Sequence, residues 1–431
     1  MKSIARLLAA FGFAACAAVS AASAQPAMSQ GEYIARASNC VACHSVEGGQ
    51  AFAGGLKMAT PVGAIYATNI TPDKETGIGN YTLEDFDRAV RRGVAKDGHH
   101  LYPAMPYPSY AKMSEADIAA MYDFFMKEVK PVRQPNLSGE AKWPLNSRWP
   151  LAIWNVVFAD FDRYEPKKGK DAEWNRGAYL VQGPGHCGAC HTPRGIASQE
   201  ASLNESGSSY LTGGNLDHWM ASNLTGDQNI GLGRWTEDEL FQLLKTGRNK
   251  HAAVAGTMIE VVNNSTQYLT DADLKAMAKY LKSLPPQMEK GKAAWAYDQK
   301  TTEDLRKRTF TKAGAAIYMR DCASCHAADG KGRASYLPAI AGNPGVVQTD
   351  AASVINLVLN GSNRLVISGV PDMYRMPQYR LTLDDQEVAD VVNFVRTSWG
   401  AQSSTVTPAQ VKKIRDETDP STDRPILLRM K

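Results

Sequence analysis

The sequence has no long apolar run beyond its first 24 residues. No later stretch approaches about 18 consecutive apolar residues, the length of a membrane-spanning helix, so we expect the rest of the chain not to cross a bilayer. An excess of one charge is also lacking, since 48 Lys and Arg residues face 44 Asp and Glu residues. This balance does not indicate a nucleic-acid-binding protein. With 44% hydrophobic and 21% charged residues, the composition excludes wholesale disorder, collagen and coiled coil.

Familiar catalytic motifs are missing as well. The chain contains no G-x-S-x-G nucleophile elbow, no P-loop, no H-E-x-x-H metal-binding motif and no G-x-G-x-x-G placed after a strand. We therefore expect no substrate-oxidising site of its own. Any substrate oxidation would take place on a partner protein.

The first 24 residues have the pattern of a secretory signal. Lys2 and Arg6 precede a mainly apolar run, and small residues at positions 22–24 provide a cleavage site. Two other interpretations stay open: a retained membrane anchor, for which the run is short, and lipid attachment at Cys16. The signal predicts an exported protein with six cysteines and a net charge of about +2, in a compartment that permits disulfides.

Cysteine is sparse, but its arrangement is regular. The six cysteines beyond the signal form three C-x-x-C-H motifs, which are Cys40, Cys43 and His44; Cys187, Cys190 and His191; and Cys322, Cys325 and His326. Two thiols three positions apart on a helical turn can add to the two vinyl groups of one porphyrin, and the adjoining histidine then ligates the iron. The motifs therefore predict three covalently attached haem c groups.

Three other uses of such cysteines fit less well. Structural disulfides would not require a histidine after every pair. A zinc site needs four ligands close together, and each pair has only one histidine near it. A thioredoxin-like pair belongs in a βαβ context, whereas the flanking sequences here are helical in pattern.

Internal repeats divide the chain into three units, one for each motif. Residues 67–93 align without a gap with residues 221–247, and each copy contains a helix that starts at a threonine, Thr82 or Thr236, with an acidic residue three positions later. A shorter counterpart covers residues 350–359 and also ends near a glycine, Gly361. All three units close with an apolar-periodic helix, over residues 114–126, 270–281 and 383–395.

Few stretches alternate apolar and polar residues as β-strands do. We therefore predict an all-α fold of three tandem class I cytochrome c-like domains. The boundaries follow shifts in composition, including proline-rich and charged stretches. The predicted parts are a signal peptide over 1–24, domain 1 over 25–135, a linker over 136–170, domain 2 over 171–290, a linker over 291–308, domain 3 over 309–400 and a C-terminal tail over 401–431.

Each haem iron needs a sixth ligand unless its site is open. Domain 3 contains no histidine other than His326, so its haem cannot have two histidine ligands from that domain. The soft thioether of methionine is the expected alternative in c-type cytochromes. The candidates lie in loops before the closing helices and are Met105, Met258 and Met376.

Two of these ligand assignments have rivals. Met373 has the better spacing from the preceding helix, whereas Met376 repeats the Met-Pro pairing of Met105, and we favour Met376. His99 and His100 are alternatives to Met105. Other methionines on the closing helices are expected to fill the core.

Several runs carry a family resemblance. They are Asn-Ile-Thr-Pro-Asp at 69–73, Tyr-Pro-Ala-Met-Pro-Tyr-Pro at 102–108, Tyr-Leu-Val-Gln-Gly-Pro-Gly-His at 179–186 and Val-Ala-Asp-Val-Val-Asn-Phe at 388–394. The chain resembles the cytochrome c subunits of membrane-bound bacterial dehydrogenases that act on gluconate, fructose, sorbitol or alcohols. The resemblance covers nearly the whole chain beyond the signal, in the same three-haem order.

The resemblance implies a periplasmic electron-transfer subunit attached peripherally to the outer face of the cytoplasmic membrane. Such a subunit takes electrons from a large flavin or PQQ (quinoprotein) catalytic subunit and passes them to ubiquinone, and a small third subunit is expected. The three motifs match the family position by position, as do Met105, Met258 and Met376, although the sequence around Met258 departs from Met-Pro.

Two other functions stay open on the sequence. The partner could instead be a molybdenum-containing aldehyde or N-heterocycle dehydrogenase, or the chain could be a haem enzyme, such as a peroxidase, with an open iron site. A methionine in each of three loops favours electron transfer, because a filled sixth position leaves no room for substrate.

One apolar segment lies between domains 1 and 2. Residues 149–158 contain two tryptophans and are too short to span a bilayer. The segment is a candidate for docking on the catalytic subunit, for dipping into the membrane interface or for lining a quinone site. The alternative is a connector buried between the two domains.

Overall fold

A computed structural model describes residues 28–60, 63–143, 146–216, 218–287, 293–333 and 336–421. The predicted signal peptide, Cys16 and the end of the predicted tail lie outside the described residues. We refer to the first region (residues 28–143), the middle region (146–287) and the last region (293–421). Within the described part of the chain, no helix is long and apolar enough to cross a bilayer.

The described residues are mostly helical, as predicted. The first region contains α1 (Gln30–Ala37), α2 (Cys40–Cys43), α3 (Leu83–Arg92), α4 (Tyr107–Tyr110) and α5 (Glu115–Lys127). The middle region contains α6 (Pro150–Phe158), α7 (Ala172–Gln182), α8 (Gly188–His191), α9 (Glu237–Thr246), α10 (Thr257–Asn264), a 3₁₀ turn (Thr266–Tyr268) and α11 (Asp271–Lys282). The last region contains α12 (Lys300–Arg306), α13 (Ala315–Ile317), a π-helical turn (Tyr318–Cys322), α14 (Ala323–His326), α15 (Pro344–Val347), α16 (Ala352–Asn360), α17 (Asp385–Arg396) and α18 (Pro408–Glu417).

Two short antiparallel ribbons accompany the helices. Strands β1 (Lys57–Met58) and β2 (Ile65–Tyr66) pair with Lys57 opposite Tyr66. Strands β3 (Gly214–Leu216) and β4 (Trp219–Ala221) pair with Gly214 opposite Ala221. Each ribbon follows a C-x-x-C-H motif in the chain.

The predicted helix starts and stops of the repeat are confirmed. Thr82 and Thr236 each accept a hydrogen bond from the third helical N–H, and the acidic residue at that position accepts one from the threonine N–H in return. Both helices end at a glycine in the left-handed conformation, Gly93 (φ 62°) and Gly247 (φ 70°). The corresponding α16 lacks the reciprocal cap and ends at Gly361.

In each region an early helix crosses the closing helix at a glycine. A Cβ atom on Gly31 would overlap the carbonyl oxygen of Ala120 in α5, and one on Gly177 would overlap that of Ala276 in α11. Gly314, just before α13, meets Asp390 of α17 in the same way. The backbones therefore touch at these crossings, because no side chain separates them.

Each region has its own hydrophobic cluster. The aromatic residues expected at equivalent places in the closing helices, Phe124, Tyr280 and Phe394, are buried one to a cluster. The middle cluster also includes Ala37 from the first region. A fourth, small cluster joins Ile259 and Val262 of α10 to Leu365 of the last region.

Three segments predicted to be linkers or tail contain helices. Helix α18 lies in the predicted tail and buries Val411 and Ile414 against the last cluster. Helix α12 lies in a predicted linker and buries Leu305 in the same cluster. Helix α6 lies in the other linker. Helices α12 and α18 are short and mostly polar, and α6 is apolar nearly throughout. None of the three therefore shows a clear helical period of apolar residues in the sequence.

Candidate haem sites

The three C-x-x-C-H motifs occupy three short helical turns. The first lies on α2, the second on α8 and the third on the π-helical turn and α14. A turn of helix places side chains three and four positions apart on one face, so the two thiols and the imidazole of each motif share a side. This is the arrangement that the attachment chemistry requires.

Each of the three motif histidines forms a hydrogen bond with a backbone carbonyl group. The Nδ1 atom of His44 lies 2.7 Å from the carbonyl oxygen of Thr68, that of His191 2.6 Å from Ser222 O, and that of His326 2.9 Å from Pro338 O. A carbonyl oxygen only accepts, so each Nδ1 carries the proton and each Nε2 keeps its lone pair for a metal. Burial lowers the pKa of all three imidazoles, which favours their neutral form.

The motif cysteines differ in exposure. Cys43 and Cys325 are exposed, and Cys40, Cys187 and Cys322 are partly buried. Burial raises the pKa of Cys40, Cys187 and Cys322 to about 12, so at neutral pH these groups are protonated. Thiols beside a neutral imidazole fit the covalent attachment of haem.

The methionines occupy different surroundings. Met105 packs against the first hydrophobic cluster, which Cys40 also contacts. Met376 packs against the last cluster, which Cys322 also contacts. Met258 lies in the first turn of α10 and packs in the small fourth cluster together with Met373, not among the residues of the middle cluster around Cys187.

The histidines outside the motifs have other partners. His99 lies 2.5 Å from Asp97, and His100 lies 3.3 Å from the amide of Asn155. His251 stacks on Trp235 with ring centroids 5.2 Å apart. His186, which precedes the second motif, contacts the first region.

The first and middle regions meet through a reciprocal pair of contacts. The Tyr33 hydroxyl of α1 donates to Asp273 at 2.6 Å, and the Tyr179 hydroxyl of α7 donates to Asp117 at 2.5 Å. In return, the N–H groups of Thr270 and Ser114 donate to the two hydroxyls, at 3.1 and 3.2 Å. Each region thus provides one tyrosine hydroxyl and one helix start with its N–H and aspartate. The interface therefore has a pseudo-two-fold arrangement.

Each aspartate of this interface is also held within its own region. Arg176 makes two hydrogen bonds to Asp273, at 2.8 and 2.7 Å, and the corresponding Gln30 donates to Asp117 at 3.0 Å. Burial opposes ionisation of Asp273, but the hydrogen bonds from Arg176 and Tyr33 outweigh it and lower the pKa of that carboxyl group.

Sequence reasoning missed this interface, although a signal was present. Both regions contain Gly-x-Tyr near their start, at Gly31 and Gly177, and an S/T-x-x-D helix start before the closing helix. Each pattern predicts only local structure, so the contact between them is visible only in three dimensions.

The interface brings the first two motif turns together. The carbonyl oxygen of Ser38 accepts hydrogen bonds from the Tyr110 hydroxyl, at 2.9 Å, and from the His186 ring, at 3.2 Å. The residues just before the first and second motifs, Ser38 and His186, are therefore in direct contact.

The last region contacts the middle region through the loop that precedes Met373 and Met376. Asn263 of α10 donates to the carbonyl of Arg364 at 3.0 Å and accepts from the N–H of Val366 at 2.9 Å. Helix α10 also contacts α2. Helix α10 thus touches both the first motif turn and the methionine loop of the last region.

Comparison with known proteins agrees with this site chemistry. A family model described as cytochrome c matches residues 28–128 and 311–399. The chain is similar to the gluconate 2-dehydrogenase cytochrome c subunit of Pantoea cypripedii, with 50% identity over 426 residues that cover 97% of this chain and 96% of the relative. It is also similar to the cytochrome c subunit of the quinone-dependent alcohol dehydrogenase of Gluconacetobacter polyoxogenes (49% identity; 91% and 84% covered) and to the fructose dehydrogenase cytochrome subunit of Gluconobacter japonicus (38%; 91% and 83%).

The motif turns and the family match define the chain as a c-type cytochrome, whose cofactor is covalently attached haem c. The chain belongs to the family of dehydrogenase cytochrome c subunits, which confirms the resemblance stated from the sequence.

Proposed function

We propose that the chain is the three-haem electron-transfer subunit of a membrane-bound periplasmic dehydrogenase. It receives electrons from a flavin or PQQ catalytic subunit that oxidises a sugar, a sugar acid such as gluconate, or an alcohol, and it delivers them to ubiquinone. The observation that carries the proposal is the identical Nδ1–carbonyl contact of the three motif histidines. Its repetition supports three equivalent haem sites and, with them, three tandem cytochrome c domains.

The proposed cofactor ligands are those that the sequence predicts. Each haem is attached through one cysteine pair and ligated by His44, His191 or His326, and the iron supplies one-electron redox chemistry when bound. The carbonyl groups orient the imidazoles. The sixth ligands are Met105, Met258 and Met376. The packing of Met105 and Met376 against the clusters that Cys40 and Cys322 contact supports two of them.

The assignment of Met258 rests on its position in the chain. Met258 lies between α9 and α11, as Met105 lies between α3 and α5, and it is one residue off the register of the gapless repeat. Met373 packs against the small fourth cluster, whereas Met376 packs against the last cluster, which Cys322 also contacts, and the position of Met376 near this motif favours it as the ligand in domain 3.

The contacts between regions support a path for electrons. The first two regions are in contact beside their motifs, where the His186 ring donates to the carbonyl of Ser38, and α10 links the middle region to the methionine loop of the last region. Consecutive proposed sites therefore lie in regions that contact each other directly.

The attachment to the membrane is proposed to use one face of α6. Trp149, Ile153, Val156 and Val157 recur at helical spacing on that face and are 69%, 57%, 86% and 62% exposed. We call these four residues the α6 apolar face. A short helix with one exposed apolar face fits the boundary between lipid head groups and acyl chains. The other partners are the large catalytic subunit and a small third subunit.

The test is purification from the native membrane in mild detergent. We expect three haems per chain by haem assay, a co-purifying large subunit, and reduction of the haem absorption by gluconate, fructose, sorbitol or ethanol that requires the large subunit. A chain that purifies alone and whose haems no such substrate reduces would contradict the proposal.

A further inference from the structure

The methionine loop of the last region is long and irregular. Residues 361–384, between α16 and α17, contain no helix or strand, whereas the corresponding stretches of the first and middle regions contain α4 and α10. Holding each residue of such a loop in one conformation costs conformational entropy, which contacts with the rest of the fold must offset. The position of Met376 therefore depends on the contacts that fix this loop.

The start of the loop fixes the backbone of Met376. The Met376 N–H donates to the Ser362 hydroxyl at 2.9 Å, and the Ser362 N–H donates in return to the Met376 carbonyl at 3.1 Å. Gly361 lies so close that a Cβ atom on it would be 2.6 Å from the same carbonyl oxygen. Residues at the start of the loop thus touch Met376 directly.

The end of the loop is joined to the third motif turn. The Tyr379 hydroxyl donates at 2.7 Å to the carbonyl of Asp321, the residue before Cys322. The N–H groups of Tyr379 and Arg380 donate at 3.0 Å to carbonyl groups near the end of α16. Met376 therefore lies between an anchored start of the loop and an anchored end that contacts the motif turn.

The chain after α17 returns to the start of the loop. We call α18 and the residues that follow it, 408–421, the α18 segment. Asn360, the last residue of α16, donates through its side-chain amide to the Thr418 hydroxyl at 2.8 Å. The Ser421 N–H donates to the Asn360 carbonyl, and the Ser421 hydroxyl donates to the Gly361 carbonyl, both at 3.0 Å. The α18 segment therefore holds the start of the methionine loop.

The same segment holds the end of the loop through an arginine. The Arg380 guanidinium donates to the carbonyls of Arg415 and Thr418, at 2.8 and 2.5 Å. It also donates to the side-chain oxygen of Asn360 at 2.8 Å. Carbonyl groups at the end of a helix lack partners within it and carry partial negative charge, so a guanidinium is stabilised there. Arg415 donates in return to the carbonyl of Arg380 and pairs with Asp385 at 2.7 Å.

We propose that the α18 segment is a positioning element for the third haem site, which joins both ends of the methionine loop and so keeps the Met376 sulfur available to the iron. The inference deepens the proposed function and rests on it, since it takes Met376 as the sixth ligand. Val411 and Ile414 anchor the segment in the last hydrophobic cluster. When the contacts of the segment are removed, the loop gains freedom, the thioether is displaced and the third site opens to external ligands.

The first experiment removes side-chain contacts of the segment without changing its buried anchors. It uses the whole detergent-purified complex carrying Thr418→Val together with Ser421→Ala. We expect the long-wavelength band of methionine-ligated ferric haem to fall by up to the share of one haem in three, and the potential of one haem to fall. The dithionite-reduced variant should also bind carbon monoxide, which requires an open sixth position.

The control for this variant is Lys412→Gln, which breaks an exposed ion pair within α18 and should leave all three readouts unchanged. Haem content reports whether each variant is assembled. A double variant with the band, the potentials and the carbon monoxide binding of Lys412→Gln overturns the proposal.

The second experiment separates positioning from stability. Arg380→Gln removes the charge at the end of α18, whereas Arg380→Lys keeps a charged donor for the same carbonyl groups. We expect Arg380→Gln to bind carbon monoxide and Arg380→Lys to retain most of the band. Urea unfolding is measured for both. If both variants unfold more readily but keep the full band and bind no carbon monoxide, the segment only stabilises the fold and the proposal is wrong.

The reference variant Met376→Leu distinguishes the ways in which the proposals fail. It should lose the band and bind carbon monoxide at one haem; if it keeps the full band, another residue is the ligand and this inference falls with that assignment. If the α18 variants keep the band while substrates reduce the haems, only this inference fails. If no substrate reduces the haems of the unmodified complex, the proposed function fails, whereas dithionite reduction and carbon monoxide still decide the role of the α18 segment.

Discussion

At the scale of single residues, one backbone carbonyl determines the chemical state of each motif histidine. A hydrogen bond from Nδ1 leaves Nε2 as the only ring nitrogen able to bind iron. None of these carbonyl groups belongs to the C-x-x-C-H motif, and Thr68, Ser222 and Pro338 lie at different distances from it in the chain. The motif itself was predictable from the sequence, whereas its carbonyl partners depend on how the following loop folds back.

The methionine proposed as the sixth ligand of the last haem site can be tested by replacing each of the two rival methionines in turn. Met376→Leu should remove the long-wavelength charge-transfer band that a methionine-ligated ferric haem contributes, and it should lower the potential of one haem. Met373→Leu is the matched control, because it packs in the small fourth cluster, and we expect its spectrum to keep the full band. The reverse pattern in optical and redox titration would assign the ligand to Met373.

A second residue-scale prediction concerns the cap of α9. Burial opposes ionisation of Glu239, but hydrogen bonds from Lys250, the Thr236 N–H and His251 outweigh it and lower the pKa from its ordinary 4.5 to about 2. A lowered folded-state pKa stabilises the fold above about pH 4.5, and this contribution is lost as the pH falls toward 2.

We therefore expect Glu239→Gln to reduce the free energy of unfolding at pH 7 by on the order of 2 kcal/mol. The difference from the unmodified chain should shrink as urea unfolding is repeated at pH 5, 4 and 3. Glu237→Gln, an exposed change in the same helical turn, should show no such convergence. If the difference in free energy of unfolding stayed constant from pH 7 to pH 3, the stabilisation would not come from ionised Glu239.

At the scale of elements, α7 and α11 can cross closely because Gly177 has no side chain at the crossing. Gly177→Ala would place a Cβ atom on the carbonyl oxygen of Ala276, so α7 and α11 would have to separate. Overpacking of this kind costs about 1–3 kcal/mol and here exceeds the gain in helix propensity of up to about 1 kcal/mol. Chemical denaturation should show the loss. Gly139→Ala, where the nearest atom is 3.4 Å away, should leave stability nearly unchanged, and equal effects of the two would disprove close contact.

The elements differ in how far the sequence predicts them. The capped helices α3 and α9 follow from local signals, because a threonine, an acidic residue three positions on and a final glycine each act within a few residues. Helix α18 has only Val411 and Ile414 as buried apolar residues, too few for a clear period. Helix α6 is apolar on nearly every side, so its sequence does not indicate which face is exposed.

At the scale of the whole molecule, the α6 apolar face should control attachment to lipid. Val156→Ser combined with Trp149→Ser should reduce binding to liposomes several-fold in co-sedimentation, since each change removes apolar area that lipid would cover. Trp154 is unsuitable for this test because its indole holds α6 to Ala197. Leu381→Ser, an equally exposed leucine of the last region, is the control. Unchanged binding of the double variant would remove α6 from the membrane contact.

The junction of the first and middle regions should make them unfold together. Tyr33→Phe and Tyr179→Phe each remove a hydroxyl that donates to an aspartate of the other region, at a cost of about 1.5–3 kcal/mol for a hydrogen bond to a charged group. Calorimetry of the double variant should resolve a separate transition for each region. Tyr374→Phe, at an exposed position, should keep the original profile, and a single transition in the double variant would show that other contacts couple the regions.

The reciprocal tyrosine–aspartate contact has a consequence for the ancestry of the chain. An interface in which each side offers the same tyrosine and the same aspartate is what a symmetric homodimer requires. A single-haem ancestor with one such tyrosine and one such aspartate could therefore pair with a second copy of itself before gene duplication joined the copies. The last region contacts the middle region through other groups, such as Asn263 with Arg364 and Ser353 with Met220, and this contact does not repeat the tyrosine–aspartate pair among the described residues.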